Sequence, residues 1–310
     1  MTARYALLFP GQGAQAVGMG KDLAEGFPEA RRLFEQANSV LGYSISRLCW
    51  EGPQEALTRT EHCQPALFVT SMAVLAALEA VLGKPTIPAA TAGLSLGEYT
   101  ALAAAGAFSF EDGLRLVRLR GQAMEEASRM SPGTMASVLG LELPLLEEIC
   151  KQTGAEVANI NCPGQLVISG APEAVQTAAE RSKEKGAKRV ALLEVGGAFH
   201  SRLMQPAATR LKEGLDKIQI HPPRCKVLSN VTGGFYAGSD QIRTLLVEQL
   251  THPVRWEGCV RTLTGSGVNL FLEVGSGTVL KGLLKRIDPQ ARVVSAGTAP
   301  QVREAAAQLA

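Results

Sequence analysis

Ser95 stands in Gly93-Leu94-Ser95-Leu96-Gly97-Glu98, a Gly-x-Ser-x-Gly run of the kind that sets a serine on a sharp strand-to-helix turn. The flanking glycines free the backbone to make that turn. So short a pattern is weak by itself, and a serine in a surface loop is the plainer reading. Its flanks favour the turn. Ile87–Ala92 is short and uncharged and reads as a strand, while Glu98–Ala105 is Ala-rich and helix-prone. Glu98 falls in the first helical turn, where the helix dipole favours an acid.

A serine hydroxyl needs an adjacent base near neutral pH. The chain offers four histidines, His62, His200, His221 and His252. His200 lies in Gly196-Gly197-Ala198-Phe199-His200-Ser201, in a loop with two readings: a base facing Ser95 across a cleft, or a surface or capping histidine. Arg120 is the sharpest clue to a substrate. Leu116, Val117, Ala123, Met124 and Ala127 share its face of a helix by three-and-four spacing, so Arg120 sits in an apolar stripe. Arg115 and Arg118 point to the other side, and Leu119 falls off the stripe. A buried arginine needs an anionic partner. Either a structural Asp or Glu supplies it, or the guanidinium is a clamp for a substrate carboxylate. Gly11-Gln12-Gly13-Ala14-Gln15 is a glycine-rich turn after the apolar strand Ala6–Phe9. A dinucleotide fingerprint is discounted, because Pro10 interrupts the turn and no strand ending in an acid follows about 20 residues on. The other reading is a set of backbone N–H groups facing the serine as an oxyanion hole.

Elements that would position these residues follow from the pattern. Helices are expected around Lys21–Leu41, Ala66–Leu82 and, opened by the Ser109/Asp112 capping box, to about Ser128. Gly133–Leu141 (strand), Pro144–Thr153 (helix), Glu156–Asn161 and Gln165–Ser169 (strands through Cys162-Pro163-Gly164), Pro172–Lys185 (helix) and Lys188–Val195 (strand) give the order βαββαβ. That order is ferredoxin-like. Beyond it, strands are expected at Cys225–Asn230, Val268–Val274 and Val293–Ala296, with helices at Gln241–Leu250 and Val279–Ile287. The fold class is therefore α/β: a main domain over 1–130 and 198–310 carrying a small inserted subdomain over 131–197.

With 310 residues, 46% hydrophobic and 19% charged content and a net charge of +2, the composition is that of an ordinary soluble protein and not a nucleic-acid binder. No apolar run reaches the length of a membrane span, and the N-terminus lacks a signal-peptide pattern, so no membrane association and a cytoplasmic location are expected. Six scattered cysteines and four unclustered histidines offer neither a disulfide framework nor a metal site.

Taken together, the motifs resemble the malonyl-CoA:acyl-carrier-protein transacylases and the related acyltransferase domains of polyketide and fatty-acid synthases. The resemblance runs through Phe9-Pro10-Gly11-Gln12-Gly13, Gln64-Pro65-Ala66-Leu67, Gly93–Glu98, Arg120-Gly121 with Met124, and Asn161–Gln165. It continues through Ala198-Phe199-His200-Ser201 with Met204, His252-Pro253-Val254-Arg255-Trp256 and Glu273–Gly277. It implies an α/β-hydrolase-like main domain with a ferredoxin-like insert and a ping-pong malonyl transfer through an acyl-serine. The implied partners are malonyl-CoA, a substrate and not a cofactor, and acyl carrier protein; no cofactor or metal is implied. By resemblance Ser95 is the nucleophile and His200 the base, with the N–H groups of Gln12 and Leu96 holding the oxyanion. Arg120 is the carboxylate clamp, and Gln64, Asn161 and Phe199 bind substrate. Phe199 resembles the form found in malonyl-selective members.

Three positions depart from the family. Leu94 replaces a usual histidine, Cys162 replaces a common serine, and His252 stands where an asparagine's main-chain carbonyl orients the imidazole, a role His252 inherits. The competing readings are an acyltransferase serving a polyketide pathway in trans, an acyl hydrolase, and a carrier-binding module without catalysis. Lys185, Lys188, Arg189, Lys281, Lys285 and Arg286 are candidates for a basic rim facing an acidic carrier protein.

Overall fold

A computed structural model describes residues 4–309. The described strands are β1 (Tyr5–Phe9), β2 (Ala90–Gly93), β3 (Thr134–Leu139), β4 (Glu156–Cys162), β5 (Gln165–Gly170), β6 (Arg189–Leu192), β7 (Lys226–Val227), β8 (Leu270–Val274) and β9 (Arg292–Ala296). They form two sheets. The larger has the order β7-β2-β1-β8-β9, and all its pairings are parallel. Parallel strands require crossovers, which put helices on both faces. Strand β1 carries both faces in its alternation: Leu7 and Phe9 enter one core cluster, Ala6 and Leu8 the other. The smaller sheet is antiparallel in the order β4-β5-β3-β6, the ferredoxin-like arrangement, with its own core around Val138, Leu146 and Ile168.

Edge strand β4 is pinned to the main domain. Ile160 N–H donates to the Val254 carbonyl at 2.9 Å, and Val254 N–H donates to the Ala158 carbonyl at 2.8 Å. This seam sets the small sheet over the C-terminal ends of β1 and β2, where ligands of open parallel sheets bind.

Four expectations need correcting. The expected Lys21–Leu41 helix is two helices, Lys21–Gly26 and Pro28–Leu41. Phe27 between them is extended because the residue before a proline is pushed out of the helical region. The helix expected from Ala66 begins at Thr60 and carries Pro65 inside it, losing one backbone bond without breaking. That Thr60–Leu82 helix also overturns the expectation about membrane spans. By length and apolarity it could cross a bilayer, since only a 16-residue charge-free run was apparent between His62 and Glu79. Here 67% of its most apolar window is buried inside the protein, as the central helix of the larger core. Lastly, the strand expected over Cys225–Asn230 is a strand only over Lys226–Val227, with Leu228 adding an isolated bridge to Phe235, because the chain then turns and carries Asn230 to the Ser95 loop.

Candidate active site

Strands β1 and β2 run in register, Phe9 beside Gly93, so the loops leaving them meet. The helix Leu96–Ala104 starts directly after Ser95, whose backbone sits at φ 52°, ψ −103°. This is a left-handed, strained conformation that a serine adopts only when its surroundings enforce it. The enforcement is visible. A Cβ on Gly97 would lie 2.1 Å from the Phe9 carbonyl oxygen, and one on Gly93 would lie 2.0 Å from that of Gly97. Asn230 completes the clamp: Ser95 N–H donates to its Oδ1 at 2.6 Å, and its Nδ2 donates to the Gly93 carbonyl at 2.8 Å.

His200 emerges from the small sheet's exit segment with φ 57°, again left-handed. Its Nε2 is 2.8 Å from Ser95 Oγ, and its Nδ1 is 2.7 Å from the Gln249 main-chain carbonyl. A carbonyl only accepts, so Nδ1 carries the proton and Nε2 is the acceptor for the serine hydroxyl. Burial, reinforced by the nearby Arg120 cation, lowers the His200 pKa to about 4. The ring is therefore neutral at pH 7. His252 was expected to orient this ring and does not: it lies on the exposed side, its Nδ1 2.9 Å from the Glu248 carbonyl. The carbonyl that reaches the imidazole belongs to Gln249, at the end of the Asp240–Glu248 helix.

Arg120, on the Phe110–Met130 helix, is 1% exposed. Its guanidinium meets neutral hydrogen-bond partners: Nη1 donates to Gln64 Oε1 at 2.8 Å, and Nη2 to Ser95 Oγ and Gln249 Oε1, both at 3.0 Å. Tyr99 lies beneath it, with the cation 5.3 Å from the ring centroid. Among the described residues Arg120 Nε has no hydrogen-bond partner. A buried cation held by neutral groups beside a serine has room for an anion. Gln64, expected to bind substrate, does not line the cleft; it is buried and grips Arg120.

A cleft of about 220 Å³ opens over Ser95. Gln12, Leu94, Leu96, Arg120 and His200 form its floor, and Val279 and Leu283 line one wall. Met135, Asn161, Val167, Leu193 and Val195 line it from the small sheet and its exit segment, and Phe199 lies beside His200. Asn161 Oδ1 is buried without a partner among the described residues, free to meet a polar substrate group. Among the described residues neither Gln12 N–H nor Leu96 N–H donates to a protein acceptor, although the adjacent Gly13 N–H and Gly97 N–H do. On the helix that carries Leu283, Lys281, Lys285 and Arg286 are exposed, Lys281 and Lys285 on the side away from Leu283. Arg286 reaches Gln165, and Lys188 packs against Gly140, whose N–H donates to the Gly164 carbonyl at 2.8 Å. One residue of each basic cluster, Lys188 and Arg286, thus lies near the Pro163-Gly164 hairpin.

Sequence reasoning missed Gln249 and Asn230, and it placed Glu98 in the first helical turn without reading its burial. Glu98 stands in the first turn of its helix as expected, and it is fully buried there. It accepts from Gln249 Nε2 at 2.5 Å, from Asn230 N–H at 3.2 Å and from the Tyr236 hydroxyl. A signal was present: Glu98 is the lone charge in the apolar run Leu94–Phe108.

Comparison with known proteins agrees with this geometry. The model of the family described as "acyl transferase domain" matches residues 6–307. The malonyl CoA-acyl carrier protein transacylase of Bacillus subtilis is 44% identical over 311 residues, covering 99% of this chain and 97% of that one. The solved malonyl CoA-acyl carrier protein transacylase of Coxiella burnetii superposes with a TM-score of 0.95 at 40% identity, covering 100% of this chain and 98% of that one. A malonyl-transacylase solved with a type II polyketide-synthase acyl-carrier protein superposes at 0.94 with 38% identity, covering 98% of this chain and 99% of that one.

Proposed function

The chain belongs to the acyl transferase domain family, and we propose from its site how it moves a malonyl group from malonyl-CoA to the phosphopantetheine thiol of acyl carrier protein. The observation that carries the reading is Arg120, a buried cation with neutral partners, 3.0 Å from a serine that is itself 2.8 Å from a neutral histidine.

The malonyl carboxylate pairs with the Arg120 guanidinium, which places its thioester carbon over Ser95. His200 Nε2 takes the hydroxyl proton as Ser95 Oγ bonds to the carbonyl carbon. The oxyanion forms between the N–H groups of Gln12 and Leu96. As the C–S bond breaks, His200 returns the proton to the CoA thiolate. In the second half the carrier's thiol gives its proton to His200 and attacks the ester, and Ser95 leaves with that proton. The Gln249 carbonyl holds Nδ1–H throughout and stabilises the transient imidazolium, the part an aspartate plays in a serine triad.

Each step uses side chains, backbone N–H groups and the two substrates, with no cofactor or metal. Phe199 and Leu94 shape the acyl end of the cleft and limit branching next to the carbonyl. The reading also retains residues 131–197 as the small subdomain and a cytoplasmic location. A polyketide carrier protein as acceptor is the second reading, favoured by the relative solved with such a partner. A hydrolase for neutral acyl groups has little use for Arg120.

The test is intact-protein mass spectrometry after brief exposure to malonyl-CoA, acetyl-CoA and methylmalonyl-CoA. Wild type takes a malonyl adduct, Ser95→Ala takes none, and Arg120→Ala loses the preference for malonyl over acetyl. An acetyl preference in wild type that Arg120→Ala leaves unchanged would overturn the reading.

A further inference from the structure

We propose that Glu98 is the built-in counter-charge of the Arg120 clamp, a positioning residue that competes with the substrate carboxylate and yields by taking a proton from solvent on Oε1. The inference rests on the malonyl reading above and concerns what tunes that site. The Gln249 amide joins the two charges: its Oε1 accepts from Arg120 Nη2 at 3.0 Å, and its Nε2 donates to Glu98 Oε2 at 2.5 Å. An amide aligned this way carries the guanidinium's field to the carboxylate, in an interior where polar links are strong. The same Nε2 donates to the Ser95 carbonyl at 2.9 Å, and the Gln249 main chain holds His200. One buried acid is thus tied to clamp, nucleophile and base.

Three donors converge on Glu98, which fits a carboxylate: Asn230 N–H and Gln249 Nε2 on Oε2, and the Tyr236 hydroxyl on Oε1. Burial opposes that charge and raises the Glu98 pKa to about 7, the three donors and the Arg120 cation opposing the rise. The other titratable groups facing it are Tyr99 on its own helix and Cys259 on the Trp256–Gly265 helix, both held in their neutral forms by burial. Tyr236 likewise stays protonated. His200 meets Glu98 only through Gln249. When a malonyl carboxylate docks on Arg120, two anions share one cation, and like charges raise the proton affinity of the weaker-held one. A proton on Glu98 Oε1 then donates to the Tyr236 oxygen, and the Asn230 and Gln249 bonds to Oε2 persist. By linkage, malonyl docking tightens as pH falls through 7.

Glu98→Gln isolates the charge. Its carbonyl oxygen can take the Oε2 position and accept from Asn230 and Gln249, and its amide can donate to Tyr236 after rotation of one hydroxyl. Acylation of Ser95 is followed from pH 6 to 8.5 with malonyl-CoA and with acetyl-CoA, in wild type and Glu98→Gln. In wild type the half-saturating malonyl-CoA concentration rises about fivefold or more across this range. In Glu98→Gln it stays flat at the low-pH value, and acetyl-CoA shows no pH-dependent difference between the two proteins. An unchanged slope in Glu98→Gln overturns the proposal. So does an equal loss with both donors, which marks a structural lesion. Wild type that takes no malonyl group at all overturns instead the reading on which the proposal rests.

Discussion

Replacing Asn230 by alanine tests what holds the nucleophile. Asn230 is fully buried, and its amide satisfies both Ser95 N–H at 2.6 Å and the Gly93 carbonyl at 2.8 Å. Alanine leaves both groups buried and unpaired, at about 1–3 kcal/mol each, so Asn230→Ala loses ~2–6 kcal/mol of stability. Urea unfolding measures that loss. Acylation suffers separately. With its N–H released, Ser95 can relax from φ 52° toward an ordinary conformation. A nucleophile displaced by about 1 Å loses on the order of 100-fold in rate. The assay is single-turnover acylation by malonyl-CoA, at a urea-free temperature where the variant is still folded. Asn230→Ala that is destabilised but acylates at the wild-type rate would refute the reasoning. The crowding around Gly93 and Gly97 would then suffice to hold the turn.

Three further outcomes are expected. At saturating malonyl-CoA the acylation rate is level from neutral pH down to about pH 5 and falls as His200 protonates near 4, because the lowered pKa keeps the base neutral above that point; a half-maximum near 6.5 contradicts this. His252→Ala acylates within about twofold of wild type, since surface substitutions that touch no special feature change little; a loss of tenfold or more would return the orienting role to His252. Reversing the charges of Lys188, Arg189, Lys281 and Lys285 together raises the KM for acyl carrier protein while malonyl-CoA acylation is unchanged, and an unaltered carrier KM removes the basic rim.

Ser95 and Arg120 were legible because each breaks a local pattern: a serine between glycines where strand meets helix, and a cation in an apolar stripe. The βαββαβ order was legible because it is written in short, well-punctuated elements. Gln249 and Asn230 carry no such mark. They reach Ser95 across 154 and 135 residues through their side-chain amides, and no local pattern singles out one glutamine or one asparagine for so distant a contact. Glu98 shows a subtler failure. Its place in a first helical turn has a sufficient local explanation, and that explanation hid the burial that only the packing of Tyr236, Gln249 and Asn230 reveals. The short β7 fails for the same reason, since tertiary demand for Asn230 under the turn ends the strand early.

The seam between Val254 and strand β4 also bears on solubility. An unpaired sheet edge is a template on which another chain can polymerise. Here β4 spends its outward N–H and C=O groups at Ala158 and Ile160 on the main domain, so that edge is closed to strangers. The opposite edge, β6, is four residues long and opens with Arg189, with Lys188 just before it, both exposed. Brevity and charge guard one side of the small sheet and its own host guards the other, so neither edge of that sheet offers a long unpaired template.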